Sequence, residues 1–308
     1  MDKQVFFFID DVIWAFRDIT RQKPASLFDN GFFKVLKKAH DEHGMAVQLN
    51  LFYRTDFFYG SDEFTLAETT DAYKKEFEEA SSWLKLGFHA KQEFPDYPYI
   101  NASYEDAKKD YTDIINEIKR FAGEKSVSDV VTIHWGAMSK EGCRALKECG
   151  VRILSCSYGV ASEYNGDPAT LPYGHAARLL QNRKPETKLF IRETKDASIR
   201  SSICSYNYIT QQQFEASLGK NVSYKDEYTG MGFRKLGYGP CLNHHTPESL
   251  LDGLEKINGN DYIGLATHEQ YFYPDYYAYQ PDYPEKIYLM SKTLTGYGYR
   301  FITAEEMN

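Results

Sequence analysis

The sequence has no long hydrophobic run, no paired-cysteine motif, no basic block and, apart from a Tyr-rich stretch at 271–283, no biased tract. Each absence removes a class of protein. The longest uncharged apolar run near the start, Val5–Ile9, is far shorter than a signal-peptide core or a membrane span. The chain therefore reads as soluble with no membrane span, and as cytoplasmic unless a leader has been trimmed. Its five cysteines (Cys143, Cys149, Cys156, Cys204, Cys241) are odd in number and contain no Cys-x-x-Cys pair. That pattern fits free thiols in a reducing compartment, not a disulfide framework or a zinc knuckle. With 44 Asp and Glu against 36 Lys and Arg, the formal net charge is −8. No cationic surface is available to displace counterions from a phosphate backbone, so no nucleic-acid partner is expected. What the 308 residues do carry is apolar mass: 42% are hydrophobic and 16% aromatic, with 25 Tyr against 3 Trp. That is enough to bury a sizeable core and too much for a disordered chain.

Strand-like and helix-like patterns alternate along the chain. Val5–Ile9 is a continuous apolar run, as in a strand buried on both faces. After an irregular stretch, Phe32, Leu36, Ala39 and His43 fall at helical spacing and Gly44 supplies a stop. Ala46–Phe52 reads as a strand, Tyr73 to Leu84 as a helix, and Leu86–His89 as a short strand. Ser103 opens the best helix, with Ala107, Tyr111, Ile114, Ile118 and Phe121 on one face before Gly123. Strand Asp129–His134, helix Ser139–Cys149 and strand Val151–Ser155 follow. The rhythm resumes with a helix from Thr246-Pro247 to Ile257, strand Tyr262–Thr267, a helix through Ile287, Met290 and Leu294, and strand Tyr299–Thr303. Seven strands separated by helices of crossover length predict an α/β fold with parallel strands and right-handed crossovers. The expected form is a distorted (β/α)7-type barrel in one domain over 1–308, with an open doubly wound sheet as the structural alternative. Residues 159–245 break the rhythm with turn signals (Asn165-Gly166-Asp167-Pro168) and strand-like runs at Leu189–Arg192 and Ile203–Ile209. They read as an insertion of irregular and β structure within that domain.

Parallel barrels gather their chemistry where strands end. Here the first strand ends in Asp10-Asp11, the third in His89, the fourth in His134 and the sixth in His268. A single such residue is ordinarily a hydrogen-bonded loop cap; four on one rim suggest a shared site. Two adjacent carboxylates after an apolar strand repel one another unless a cation or donor compensates. Because successive strand residues face opposite ways, one can ligate an ion while the other meets substrate.

These residues resemble the polysaccharide deacetylases with a NodB-homology domain (carbohydrate esterase family four). Phe8-Ile9-Asp10-Asp11 is similar to that family's first-strand motif, and Leu86-Gly87-Phe88-His89 to its metal-binding strand. His134-Trp135-Gly136 occupies the place of its Arg-Pro-aromatic loop, and Ile263–His268 with Gly298–Thr303 its closing segment. The resemblance spans about residues 5–158 and 246–306 and omits the insertion.

It implies Asp10 as catalytic base, His268 as general acid and Asp11 as metal ligand. The family's metal strand carries His, three residues, then His; here Glu93 stands four after His89. The implied set is Asp11, His89 and Glu93 around one divalent ion, with His134 or a water as the alternative third ligand. Zinc is the first expectation, and cobalt, manganese or magnesium also suit such ligands. The family's conserved Arg, which orients the base, is absent where His134 stands. His134, Trp135, Tyr271 and Tyr273 are the expected substrate contacts, the tyrosines as ring-stacking surfaces. The implied activity is metal-dependent removal of an acetyl group from an N-acetylated or O-acetylated sugar. A chain that stays inside the cell would meet a glycan precursor. Three alternatives stay open: a degenerate, non-catalytic saccharide-binding protein, a hydrolase of small amides on the same fold, and a glycosidase pairing Asp10 or Asp11 with Glu269.

Overall fold

The computed structural model describes residues 2–55, 63–94, 98–99, 101–136, 138–155, 216–226, 229–234, 239–276 and 278–308. The strand-like runs at 189–192 and 203–209, the turn at 165–168, Cys156 and Cys204 lie outside them.

All seven expected strands form. β1 (Lys3–Val12), β2 (Val47–Phe52), β3 (Leu84–Ala90) and the late strand β8 (Tyr262–His268) make one sheet in the order β3-β2-β1-β8. The last strand, β9 (Tyr299–Phe301), pairs with the start of β1, and every pairing in this sheet is parallel. β4 (Val130–Thr132) and β5 (Ile153–Ser155) begin a second sheet. It is completed by β7 (Gly232–Arg234), parallel to β5, and the antiparallel β6 (Tyr224–Lys225). Both of these come from the segment read as an insertion. Single bridges, Leu86 to Val127 and Cys241 to Ala266, lie at the outer edges of β3 and β8. The result is an α/β barrel of mostly parallel strands that hydrogen bonds among the described residues do not close.

The helices follow their local signals. α2 (Gly31–His43) ends at Gly44, whose left-handed φ of 66° suits a residue without Cβ. α3 (Lys74–Ala80) precedes β3, and the Ser103 and Ser139 hydroxyls cap α4 (Tyr104–Ala122) and α5 (Lys140–Glu148). Thr246 caps α6 (Pro247–Ile257), and α7 (Tyr283–Gly296) leads to β9. One helix contradicts the sequence reading: α1 (Trp14–Gln22) occupies the stretch taken as irregular after β1. Ile13, at its N-cap, offers no capping side chain.

Alternation along the strands divides the core in two. Val5, Phe7 and Ile9 join the large cluster under the helices, whereas Phe6 and Phe8 meet Val130, Ile153 and Tyr262 between the strands. The next residue on the inner side is Asp10. Among the described residues, no helix is long and apolar enough to cross a membrane.

Candidate metal centre

The strand alternation fails at Asp11. Pairing of β1 with β2 slips between Ile9 and Val12, and Asp11 takes a φ of 62°. Asp is one of the few side chains that tolerates this region. The slip sets both carboxylates beside one imidazole instead of on opposite faces. Asp10 Oδ1 lies 3.7 Å from His89 Nδ1, and Asp11 Oδ1 lies 3.0 Å from His89 Nε2.

Two histidines converge on Asp11. His89, at the end of β3, places Nδ1 2.7 Å from the Thr132 carbonyl, which holds that nitrogen as a donor and turns Nε2 inward. His134, just past β4, places Nε2 3.1 Å from the Glu93 carbonyl and turns Nδ1 inward. Asp11 Oδ1, His89 Nε2 and His134 Nδ1 then form a nearly equilateral triangle with edges of 3.0, 3.2 and 3.1 Å. All three residues are buried, and among the described residues Asp11 Oδ1 has no hydrogen-bond partner of sound geometry. A cation held at about 2.0–2.1 Å by tetrahedral ligands keeps them about 3.3 Å apart, so the triangle matches one face of such a site. Each imidazole also has its far nitrogen fixed by a carbonyl, the usual outer support of a metal-binding histidine. The donor set fits a divalent ion.

Glu93 is buried but stands elsewhere. Its Oε1 is 4.0 Å from His134 Nε2, across the ring from Asp11, and its Oε2 accepts from Gln270 Nε2 at 3.2 Å. The same Gln270 nitrogen donates to Asp11 Oδ2 at 2.7 Å. The geometry thus puts His134 in the position expected of Glu93, and Glu93 behind it.

Burial works to raise the Asp11 carboxyl, but the two imidazoles outweigh it and hold the group well below the usual carboxylate range. Burial also raises Asp10, and there it prevails over His89, His268 and the hydrogen bond from Asn50. For His89, burial pulls down while Asp10 and Asp11 push up, to about 9. A cation held by His89 Nε2 would have to displace that proton. The apparent zinc affinity of the purified protein should therefore rise about tenfold per pH unit between pH 6 and 9 and level off above. Chelator-competition titrations across that range measure it, and a flat profile would count against His89 as a ligand.

His268 pairs in register with Asp10 across β1 and β8. Its Nδ1 lies 3.0 Å from Asn243 Oδ1, which fixes Nδ1–H and leaves Nε2 for the pocket. Asn243 is itself held by Gln280 Nε2, which donates to its carbonyl at 2.8 Å. Tyr271 stands edge-on to the His268 ring at 6.3 Å, and Trp135, half-buried with a φ of 62°, is edge-on to His134 at 5.9 Å. Tyr273 does not reach the rim: it is buried against Trp14 and Phe272.

Glu269 is spoken for. Its carboxylate, fully buried, accepts from the backbone N–H groups of Ile13 (2.8 Å), Trp14 (2.8 Å) and Ala15 (2.7 Å). It is the missing cap of α1, delivered from the far end of the chain. Burial pushes it up to about 7 against the pull of those N–H groups. A carboxylate so engaged is not available to a glycosidase pair. Sequence reasoning missed Asn50, Asn243 and Gln270. Asn50 alone left a trace, as the second of two amides at alternate positions in the otherwise apolar Val47–Phe52.

No protein-family model matches the chain, and no curated protein is similar to it in sequence. Solved structures are similar in fold. The 4-alpha-glucanotransferase from Thermococcus litoralis, 10% identical, covers the whole of this chain at a TM-score of 0.54, and the chain spans 40% of that protein. A CE4 family pseudoenzyme from Bacillus anthracis is 10% identical, with a TM-score of 0.46 over 99% of this chain and 65% of its own. A family 4 carbohydrate esterase from Streptomyces lividans, in complex with acetate, is 8% identical, with a TM-score of 0.43 over 99% and 95%. At such identities the likeness is one of fold.

Proposed function

We propose that the chain is a metal-dependent hydrolase that removes an acetyl group from an acetylated saccharide, N-acetylated before O-acetylated. The observation that carries this reading is the buried triangle of Asp11, His89 and His134 with Asp10 and His268 on the same rim. These three residues would hold one divalent ion, zinc first because two imidazoles and a carboxylate suit it. When bound, the ion supplies Lewis acidity toward the acetyl carbonyl and the attacking water.

The remaining work falls to the chain. Asn50 ties Asp10 Oδ1 at 2.7 Å, leaving Oδ2 to take a proton from the attacking water. Asn243 orients His268 so that Nε2–H can protonate the departing amine nitrogen. The C–N bond breaks, the water oxygen joins the acyl carbon, and acetate and a free amine leave. Trp135 and Tyr271 flank the two ends of this arrangement as ring-stacking surfaces.

The test is acetate release from N-acetylated chitooligosaccharides and acetylated xylan by zinc-loaded protein. Asp10→Asn should lower kcat by roughly a thousandfold, as expected for loss of a general base, with zinc content unchanged. Zinc retention without acetate release from either substrate would instead support the saccharide-binding alternative.

A further inference from the structure

The inner side of β2 carries two buried amides, Gln48 and Asn50, that neither the metal centre nor the acid explains. They continue the inner row toward Asp10, and Ser128 at the foot of β4 begins it. Ser128 Oγ donates to Gln48 Oε1 at 2.6 Å. Gln48 Nε2 donates to Asn50 Oδ1 at 2.7 Å, and Asn50 Nδ2 donates to Asp10 Oδ1 at 2.7 Å. Ser128, Gln48 and Asn50 are each at most 1% exposed.

The direction of this chain is forced. Gln48 Nε2 also donates to the Val130 carbonyl at 2.9 Å. A backbone carbonyl can only accept, so the Gln48 amide cannot be flipped without setting two oxygens against each other. With Gln48 fixed as donor, Asn50 must present Oδ1 to it and Nδ2 to Asp10. The Val130 N–H donates to Ser128 Oγ at 3.1 Å, and of the two acceptors in reach of the hydroxyl proton Gln48 Oε1 at 2.6 Å is closer than the Val130 carbonyl at 3.2 Å. Space for the central bond comes from Gly87 on β3. A Cβ there would sit 3.0 Å from Gln48 Nε2 and 3.2 Å from Asn50 Oδ1.

We propose that Ser128, Gln48 and Asn50 form a one-way hydrogen-bond relay through the barrel interior that orients the Asp10 carboxylate, making Asn50 and Gln48 positioning residues for the base. The resemblance to the deacetylases left the base without its orienting Arg, with His134 standing in that place. His134 instead faces Asp11, and a neutral amide holds Asp10. Because Asn50 can only donate to Oδ1, the carboxylate is held through that oxygen and Oδ2 is left outside the relay. A buried relay of satisfied amides gives this orientation without placing a second cation beside the metal centre.

The assignment of Asp10 as base rests on the proposed deacetylation; the relay itself does not. Zinc-loaded Asn50→Leu should show kcat lowered roughly 10- to 100-fold with KM and zinc content unchanged, a loss of the size that follows removal of a hydrogen-bonding partner orienting a side chain in a metal site. Gln48→Met, which keeps Asn50 but frees its amide to rotate, should lose several-fold. The independent readout is the Asn50 side-chain NH2 pair by 15N NMR. In the wild-type protein it should be protected from solvent exchange and shift on Asp10→Ala, and the protection should vanish in Gln48→Met. An unprotected Asn50 amide in the wild type, or an unchanged kcat in folded Asn50→Leu, overturns the relay. If wild-type protein releases no acetate but the amide is protected and responds to Asp10→Ala, the relay stands and the deacetylase reading falls.

Discussion

Replacing His134 by alanine is expected to empty the metal centre. The triangle of Asp11 Oδ1, His89 Nε2 and His134 Nδ1 would lose one corner, leaving two protein ligands where catalytic zinc sites use three. Loss of an outer-shell partner already weakens such sites roughly 10- to 100-fold, so loss of a ligand should weaken zinc binding by more than about 100-fold. Turnover should fall by roughly a thousandfold or more, because the ion's several kcal/mol of charge stabilisation goes with it. Glu93→Gln separates the two candidate third ligands. Glu93 meets His134 on the nitrogen that faces away from Asp11, and its backbone carbonyl, untouched by the substitution, holds that nitrogen. Glu93→Gln should therefore keep its zinc, with affinity reduced less than about tenfold. Elemental analysis of dialysed variants decides the matter. Zinc retained by His134→Ala and lost by Glu93→Gln would restore the ligand set implied by the resemblance.

Glu269→Ala should be the most destabilising single substitution in the site region. Three backbone N–H groups at the start of α1 would lose their acceptor at a point with no solvent access. Each buried donor left unmet costs about 1–3 kcal/mol. Allowing for partial relaxation, a loss of about 4 kcal/mol is expected, a large share of the roughly 5–15 kcal/mol that a folded chain has to spare. Glu269→Gln should recover part of it, since its carbonyl oxygen still accepts while its NH2 group faces donors. The effect should reach the metal centre, because Ile13 lies two residues beyond Asp11 and the cap holds the strained turn between them. Urea unfolding of the three proteins, with zinc affinity measured on the folded fraction, checks both parts. Unfolding midpoints that coincide would show that α1 does not depend on this cap.

The strand and helix order was legible because its signals are local. Ser103, Ser139 and Thr246 each cap a helix from within its own first turn, and the apolar runs of β1 and β8 need no partner to be read. α1 was not legible for the complementary reason: its cap is Glu269, 254 to 256 residues away in sequence. The same holds inside the site. That Asp10, Asp11, His89, His134 and His268 would share a rim followed from strand ends in a parallel barrel. Which of them would touch did not. Strand alternation predicted opposite directions for Asp10 and Asp11, and one backbone rotation at Asp11 overrode it. Tyr271 and Tyr273 look alike in sequence, yet one stands beside His268 and the other is buried against Trp14.

The chain's own order of residues determined the alternation of strands and helices, the parallel barrel, and the acids and imidazoles placed at the strand ends, since each depends on periodicity and neighbours within a few residues. Only the tertiary structure decided that His134 stands where Glu93 was expected, that Asn50 holds Asp10, and that Gln270 reaches Asp11 across 259 residues of sequence. Hydrogen bonds and ligand triangles of this kind have tolerances of a few tenths of an ångström. They are set by how distant segments pack, and no local pattern encodes that distance.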